Sequence, residues 1–100
     1  MSTIEINEFD WDKANTTHIA RHKVTREEAE EVFFDPKQVT YPDAKHSTIE
    51  EKRTIIIGET DEGRLLYQVF TVRKGKIRVV STRDINKKEV KLYEKTASRS

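Results

Sequence analysis

Apolar positions follow two different periods along the chain. In the first third they recur at helical spacing: Ala29, Val32 and Phe33 form one stripe, opposite Glu27, Glu30 and Glu31. Thr25 and Glu28 stand at the S/T-x-x-E spacing of a capping box, and Phe34-Asp35-Pro36 stops the helix because proline disfavours helical geometry at the residue before it. An earlier helix is expected over Lys13–His22, with Asp12 accepting from the orphan amides of its first turn. Asn7–Trp11 forms an extended lead-in, and Trp11 serves as a core anchor between it and the first helix.

The period then changes. Lys52–Glu59, Leu65–Val72 and Lys76–Arg83 are rich in β-branched and aromatic residues, and Asp61-Glu62-Gly63 and Lys74-Gly75 between them read as hairpin turns. Val39–Tyr41 adds a short edge strand ahead of an irregular loop over Tyr41–Glu51. A last helix runs from Lys87 to Lys95, with Asn86 and Glu89 as a capping-box pair and Ile85 and Val90 at the staple positions. The expected fold is α+β: two N-terminal helices, a three- to four-stranded antiparallel meander and a C-terminal helix, with the helices on one face of the sheet. One hundred residues make a single domain, spanning 1–100.

Composition narrows the chemistry. Cysteine is absent, which excludes disulfides, thiolate metal sites and cysteine nucleophiles and fits a reducing cytoplasm. No apolar run reaches membrane-spanning length, and the first residues lack the layout of a signal peptide. The formal net charge of +1 hides an asymmetry: residues 1–72 hold 9 Lys+Arg against 15 Asp+Glu, and residues 73–100 hold 10 against 3. A basic surface near the C-terminus suits phosphate or an acidic partner, while charge alone favours a solvated, salt-bridged surface helix.

Several residues carry candidate chemistry. His18 and His22 are four apart on the expected helix and can share a metal, yet no third ligand completes a recognisable pattern; His46, in a loop, would join them only by chance. His22 alone reads either as a proton carrier near neutral pH or as a helix-terminal histidine favoured by the dipole. Strict alternation in the last strand puts Ile77 and Val79 on one face with Ser81 and Arg83, and Arg78, Val80 and Thr82 on the other. Arg53, Arg64, Arg78 and Arg83 can converge on one phosphodiester through their fixed forks of donors. Spacing alone favours their pairing with Glu50, Glu51, Glu59 and Asp84 as salt bridges at the sheet edge, since surface ion pairs are common. Tyr67 and Tyr93 can stack on a base or donate a proton, but both occupy apolar stripe positions. No glycine-rich phosphate loop, dinucleotide fingerprint or nucleophile elbow is present.

The run Phe9-Asp-Trp-Asp-Lys-Ala-Asn15, then His18-Ile-Ala-Arg-His22, then Val24 to Phe33 resembles the N-terminal signature of BrnT-type toxins, W-D-x-x-N-x-x-H-I-x-R-H-G-V before an acidic helix. The similarity continues through Asp43, His46-Ser47, Arg53, Ile57-Gly58, Gly63 to Leu66, Ile77 to Arg83, Glu89 and Tyr93, and so covers about residues 9–94. It implies a small ribonuclease of RelE-like fold, the toxin of a type II toxin–antitoxin pair. A DNA-binding antitoxin of the BrnA type would hold it inactive in a hetero-oligomer. Two positions depart from the pattern. Lys23 replaces the usual Gly at a helix end where a left-handed residue is easy only for Gly. Asp84 follows Arg83 where Ala or a basic residue is usual, placing a carboxylate beside the expected site.

A metal- and cofactor-free ribonuclease can use the substrate's own 2′-hydroxyl as nucleophile, given a base, cations for the charge developing on phosphorus, and an acid for the leaving oxygen. On that expectation Arg64, Arg78 and Arg83 stabilise charge and His22 moves protons, while Arg53, Tyr93 and Lys87 contact the RNA. Two rival readings remain: a non-catalytic module gripping an acidic partner or RNA through its basic C-terminal region, and a toxin scaffold that has lost its activity. A helix-turn-helix DNA reader fits poorly, since the first pair of helices is the acidic part of the chain.

Overall fold

The computed structural model describes residues 8–97; Asn7, where the lead-in was expected to begin, lies outside the described residues. The element order is α1 (Lys13–Ala20), α2 (Arg26–Glu31), β1 (Val39–Pro42), β2 (Thr54–Glu59), β3 (Leu65–Arg73), β4 (Lys76–Asp84) and α3 (Lys87–Ala97), with a single 3-10 turn over Val32–Phe34 after α2. The four strands form one antiparallel sheet in sequence order. This is the α+β arrangement expected.

Local chemistry sets the helix ends. Asp12 and Asn15 cap α1 reciprocally, the Asn15 amide donating to Asp12 Oδ1 at 3.1 Å and the Asp12 amide to Asn15 Oδ1 at 2.8 Å. Asn15 is buried, and its Nδ2 also donates to the Asp10 and Val79 carbonyls, tying α1 to β4. Thr25 and Glu28 form the anticipated box on α2. The regular helix α1 ends at Ala20, short of His22. Lys23 turns left-handed at φ 57°, its amide donating to Ala20 O and that of Val24 to Ile19 O, the paired bonds of a glycine-type helix stop. His22 therefore sits in this closing turn and not on the regular helix with His18.

The helices do not share a face of the sheet. Ile55, Ile56 and Ile57 are all buried, at 6%, 0% and 0% exposure, so both faces of β2 are covered. Ile56, Leu66, Ile77 and Val79 pack with Ile19, Val24, Ala29, Val32 and Phe33 beneath α1 and α2. Ile55, Ile57 and Val69 pack with Tyr93 of α3 on the other side. The one-face expectation fails because the apolar run in β2 lacks alternation, and an unalternating strand needs cover on both sides. Gly58 allows the 3-10 turn to approach: a Cβ there would lie 2.8 Å from Val32 Cγ1. The lead-in pairs with the outer edge of β4, Asp10 N donating to Ile77 O and Ile77 N to Glu8 O. Trp11 leans on the first core, and its Nε1 donates to Glu30 Oε2 at 2.8 Å, which anchors it to α2.

One irregularity decides what the sheet presents. β3 and β4 pair Val69 with Ser81 but Phe70 with Val79, so Val80 is an extra residue bulged from β4. Beyond it the alternation inverts. Thr82 turns inward to the α1/α2 side, where it is 2% exposed, and Arg83 moves to the face that Arg78 occupies. The strict alternation read from the sequence had put these two arginines on opposite faces.

Candidate active site

Because α3 packs on β1 and β2, the same face remains open over β3 and β4. The floor there is Tyr67, Val69, Val80 and Ser81; His18 closes one side, while Asp43, His46 and Arg53 close another around a groove of about 470 Å³. A second hollow of about 210 Å³ shares His18, Arg53 and Val80 with the first and adds Arg73 and Arg78. Four arginines and two histidines thus line two adjoining hollows on one face of the sheet. Among the described residues no group of three or more His, Cys, Asp or Glu is placed to hold a metal ion, and no helix is long and apolar enough to cross a membrane.

Each guanidinium is already partnered. Arg83 grips Glu89 through two bonds of 2.8 and 2.7 Å, and its carbon lies 3.9 Å from the centre of the Tyr67 ring. Burial pushes the Glu89 carboxyl up, but Arg83 and the Asn86 amide outweigh it and hold the group below the usual carboxylate range. Glu89 also caps α3 with Asn86, so the capping box legible in the sequence is what presents the carboxylate to Arg83. Arg78 meets Asp12 at 2.9 Å and Asp10 at 3.5 Å; its bond, with that from the Asn15 amide, lowers the Asp12 pKa. Glu51 bridges Arg73 and Arg53, at 2.9 and 3.0 Å, and its own pKa is lowered by both. Burial raises the Tyr67 hydroxyl pKa against the opposing pull of Arg83, so the ring stays neutral at physiological pH.

The sequence-expected residues divide into two groups. Arg53 lines both hollows, with Arg83 in the first and Arg78 in the second. Arg64 lines neither: it lies at the α1/α2 side, donating to the His22 and Lys23 carbonyls at 3.0 and 2.8 Å, to Asp84 at 2.8 Å and to Glu28 at 3.3 Å. Asp84 is thereby engaged by Arg64, which lowers its pKa, and is not set against the groove. His22 is exposed beside Arg64, and Lys87 is exposed at the start of α3; neither lines the groove. Tyr93 cannot stack on a base, because it is 8% exposed and its hydroxyl donates to Asp35 Oδ2 at 2.7 Å. Burial and the Asp35 charge push its pKa far above the ordinary tyrosine value.

Sequence reasoning missed Arg73, His18 as a groove residue, and the contact of His46 with Asp43, whose carboxylate meets the ring at 2.9 Å. Arg73 was detectable, since period two along β3 aligns it with Tyr67 and Val69. The Asp43–His46 contact at spacing three resembles any local turn until the fold brings the loop to the groove.

Among curated proteins, none matches the chain. The family profile of the ribonuclease toxin BrnT of type II toxin–antitoxin systems matches residues 10–89, a span from the lead-in to Glu89 that takes in every residue of the groove. On that match across four fifths of its length, the chain belongs to the BrnT family of ribonuclease toxins.

Proposed function

We propose that this toxin cleaves RNA in the open groove of the sheet without a metal ion, and that a DNA-binding antitoxin of the BrnA type holds it inactive in a hetero-oligomer in the cytoplasm. The observation that carries the reading is the bulge at Val80, which brings Arg83 to the face of Arg78, so that Arg83 and Arg53 line one hollow while Arg53, Arg73 and Arg78 line the next. A phosphodiester seated there meets donors whose charge is permanent, and charge developing on the non-bridging oxygens is stabilised as phosphorus becomes five-coordinate. The Tyr67 ring, with the Arg83 guanidinium carbon 3.9 Å from its centre, steadies that fork at the floor of the groove. The carboxylates already paired with the arginines are part of the design. They hold each fork in place, and a phosphate must be good enough to compete for it. Charge stabilisation passes in this reading from Arg64 to Arg53 and Arg73, and proton transfer passes from His22 to groups within the groove.

The purified chain, incubated with short RNAs in EDTA, is expected to cleave them, and expression in a bacterial host is expected to arrest growth until the antitoxin is co-expressed. Cleavage lost on chelation and restored by one divalent ion would overturn the metal-free reading. Tight RNA or antitoxin binding with no turnover under any condition would leave a binding module.

A further inference from the structure

The loop between β1 and β2 holds a histidine in a manner that a mere surface loop does not require. Asp43 donates its amide to Arg53 O at 2.9 Å; Ser47 Oγ donates to Asp43 O at 2.7 Å and accepts from the Arg53 amide at 2.9 Å. The turn is thus stitched to the start of β2. Within it the Asp43 side chain is 7% exposed and meets His46 Nδ1 at 2.9 and 3.2 Å, while the imidazole is 57% exposed and lines the groove. A carboxylate at Nδ1 selects the Nδ1–H tautomer, leaves the lone pair on Nε2, and stabilises the imidazolium once Nε2 takes a proton. Nε2 has no partner among the described residues. His18, from α1 beside β4, lines the same groove.

We infer that His46, held by Asp43, accepts the proton of the 2′-hydroxyl, and that His18 gives a proton to the leaving oxygen; this rests on the groove being the ribonuclease site. His46 Nε2 takes the 2′-hydroxyl proton as O2′ bonds to phosphorus. The P–O5′ bond breaks, its electron pair leaves on O5′, and that oxygen takes a proton from the His18 imidazolium. The products are a 2′,3′-cyclic phosphate and a 5′-hydroxyl, and exchange of protons with water resets both rings. Arg53 and Arg83 face the non-bridging oxygens. Asp43 is a positioning residue. The charged or titratable groups around His46 are Asp43 on its own loop, Arg53 from β2, Tyr67 from β3, Arg83 from β4 with its partner Glu89 on α3, and His18 from α1.

The test is single-turnover cleavage of oligodeoxynucleotides that each carry one ribonucleotide, compared with the same strands bearing sulfur in place of the bridging O5′. A thiolate leaves without a proton, so the sulfur strand bypasses the acid but not the base. His46→Gln should slow both strands ~10²-fold or more, the usual scale for one proton-transfer group. His18→Gln should slow the ordinary strand by a similar factor and recover toward wild-type rate on the sulfur strand. The wild-type pH profile should be a bell; His46→Gln should lose its acidic limb and His18→Gln its basic limb. Asp43→Asn should cost less than His46→Gln and move the acidic limb to lower pH, a shift that a purely structural role would not cause. Wild-type rates for His46→Gln, with Arg83→Ala impaired, would overturn the inference and leave the ribonuclease site standing. A wild-type chain that cleaves neither these strands nor free RNA would overturn both.

Discussion

At the open end of the β3–β4 hairpin, two arginines gripped by carboxylates face opposite sides of the sheet, and they do different things. Arg64, at the α1/α2 side, is surrounded: two carbonyls from the closing turn of α1, Asp84 and Glu28 together occupy its fork. Arg83, on the open face, has Glu89, one backbone carbonyl and the flat ring of Tyr67. Exposure does not separate such residues. The Arg78 side chain in the groove is 13% exposed, less than the 26% of Arg64. What separates them is how many segments each fork ties together and what lies beside it. An arginine that neutralises a helix end and joins three segments is a structural tie, whereas one flanked by a concave open surface and an aromatic ring is placed to meet an anion.

Replacing each arginine in turn would break the comparison most directly. Arg83→Ala should lower the single-turnover cleavage rate by ~10²-fold or more, the usual loss for one donor to a charged transition state, with a small change in melting temperature. Arg83→Lys should remain impaired, because it keeps the charge and loses the fork. Arg64→Ala should do the reverse, costing about 1–2 kcal/mol of stability through lost charge-assisted bonds while folded molecules turn over almost normally. The outcome that defeats this division is Arg64→Ala as inactive as Arg83→Ala at unchanged melting temperature. The same measurement would restore the role that spacing alone suggested for Arg64.

Acid should weaken both arginine clusters, and it sharpens the comparison. At Arg64, burial raises Glu28 but the Thr25 amide and Arg64 outweigh it, and Arg64 lowers Asp84 directly; on the open face Glu89 is lowered in the way described above. Each folded pKa lies below its unfolded value, near 4.5 for Glu and 3.8 for Asp. The unfolded chain therefore binds more protons as the solution is acidified. The stabilisation is complete above the unfolded values and drains away as pH falls through the folded ones. Melting temperature should hold down to about pH 5 and drop below about pH 4, and both Arg64→Ala and Arg83→Ala should flatten that drop. An acid limb unchanged in both variants would show that the pairs are not what couples stability to pH.

The smallest expected effect is at the α1 stop. Lys23 holds φ 57° without glycine's freedom, which costs an ordinary residue about 1–2 kcal/mol, and glycine returns part of that through its looser unfolded state. Lys23→Gly should stabilise by about 1 kcal/mol, raising the melting temperature by roughly 4–8 °C, with cleavage unaltered because the position lies at the Arg64 side. A lower melting temperature would mean that the lysine side chain contributes more than its backbone costs.

Much of the fold was legible in the chain because its signals are local. Asp12, Thr25 and Asn86 each bond to the residue three positions on, and such spacing can be read without knowing the fold. The hairpin at Lys74-Gly75 likewise needs two positive φ values, and it has them, at 51° and 77°. The left-handed stop at Lys23 was visible through the family resemblance, as was the family itself. The covering of both sheet faces was also within reach, since three consecutive isoleucines cannot alternate.

The site was decided elsewhere. No glycine or other local mark announces the bulge at Val80; it exists because β4 must pair with β3 at two registers, Val69 with Ser81 and Phe70 with Val79. One extra residue reverses the facing of every side chain beyond it, so the choice of face for Arg83 belongs to the pairing of two strands and not to either strand alone. The same holds for His18 and the Asp43–His46 pair, which meet at one groove from elements separated by α2 and β1. Sequence by itself determined the elements, their ends and the family; the tertiary structure alone determined which charges face one another, because that depends on long-range register and packing.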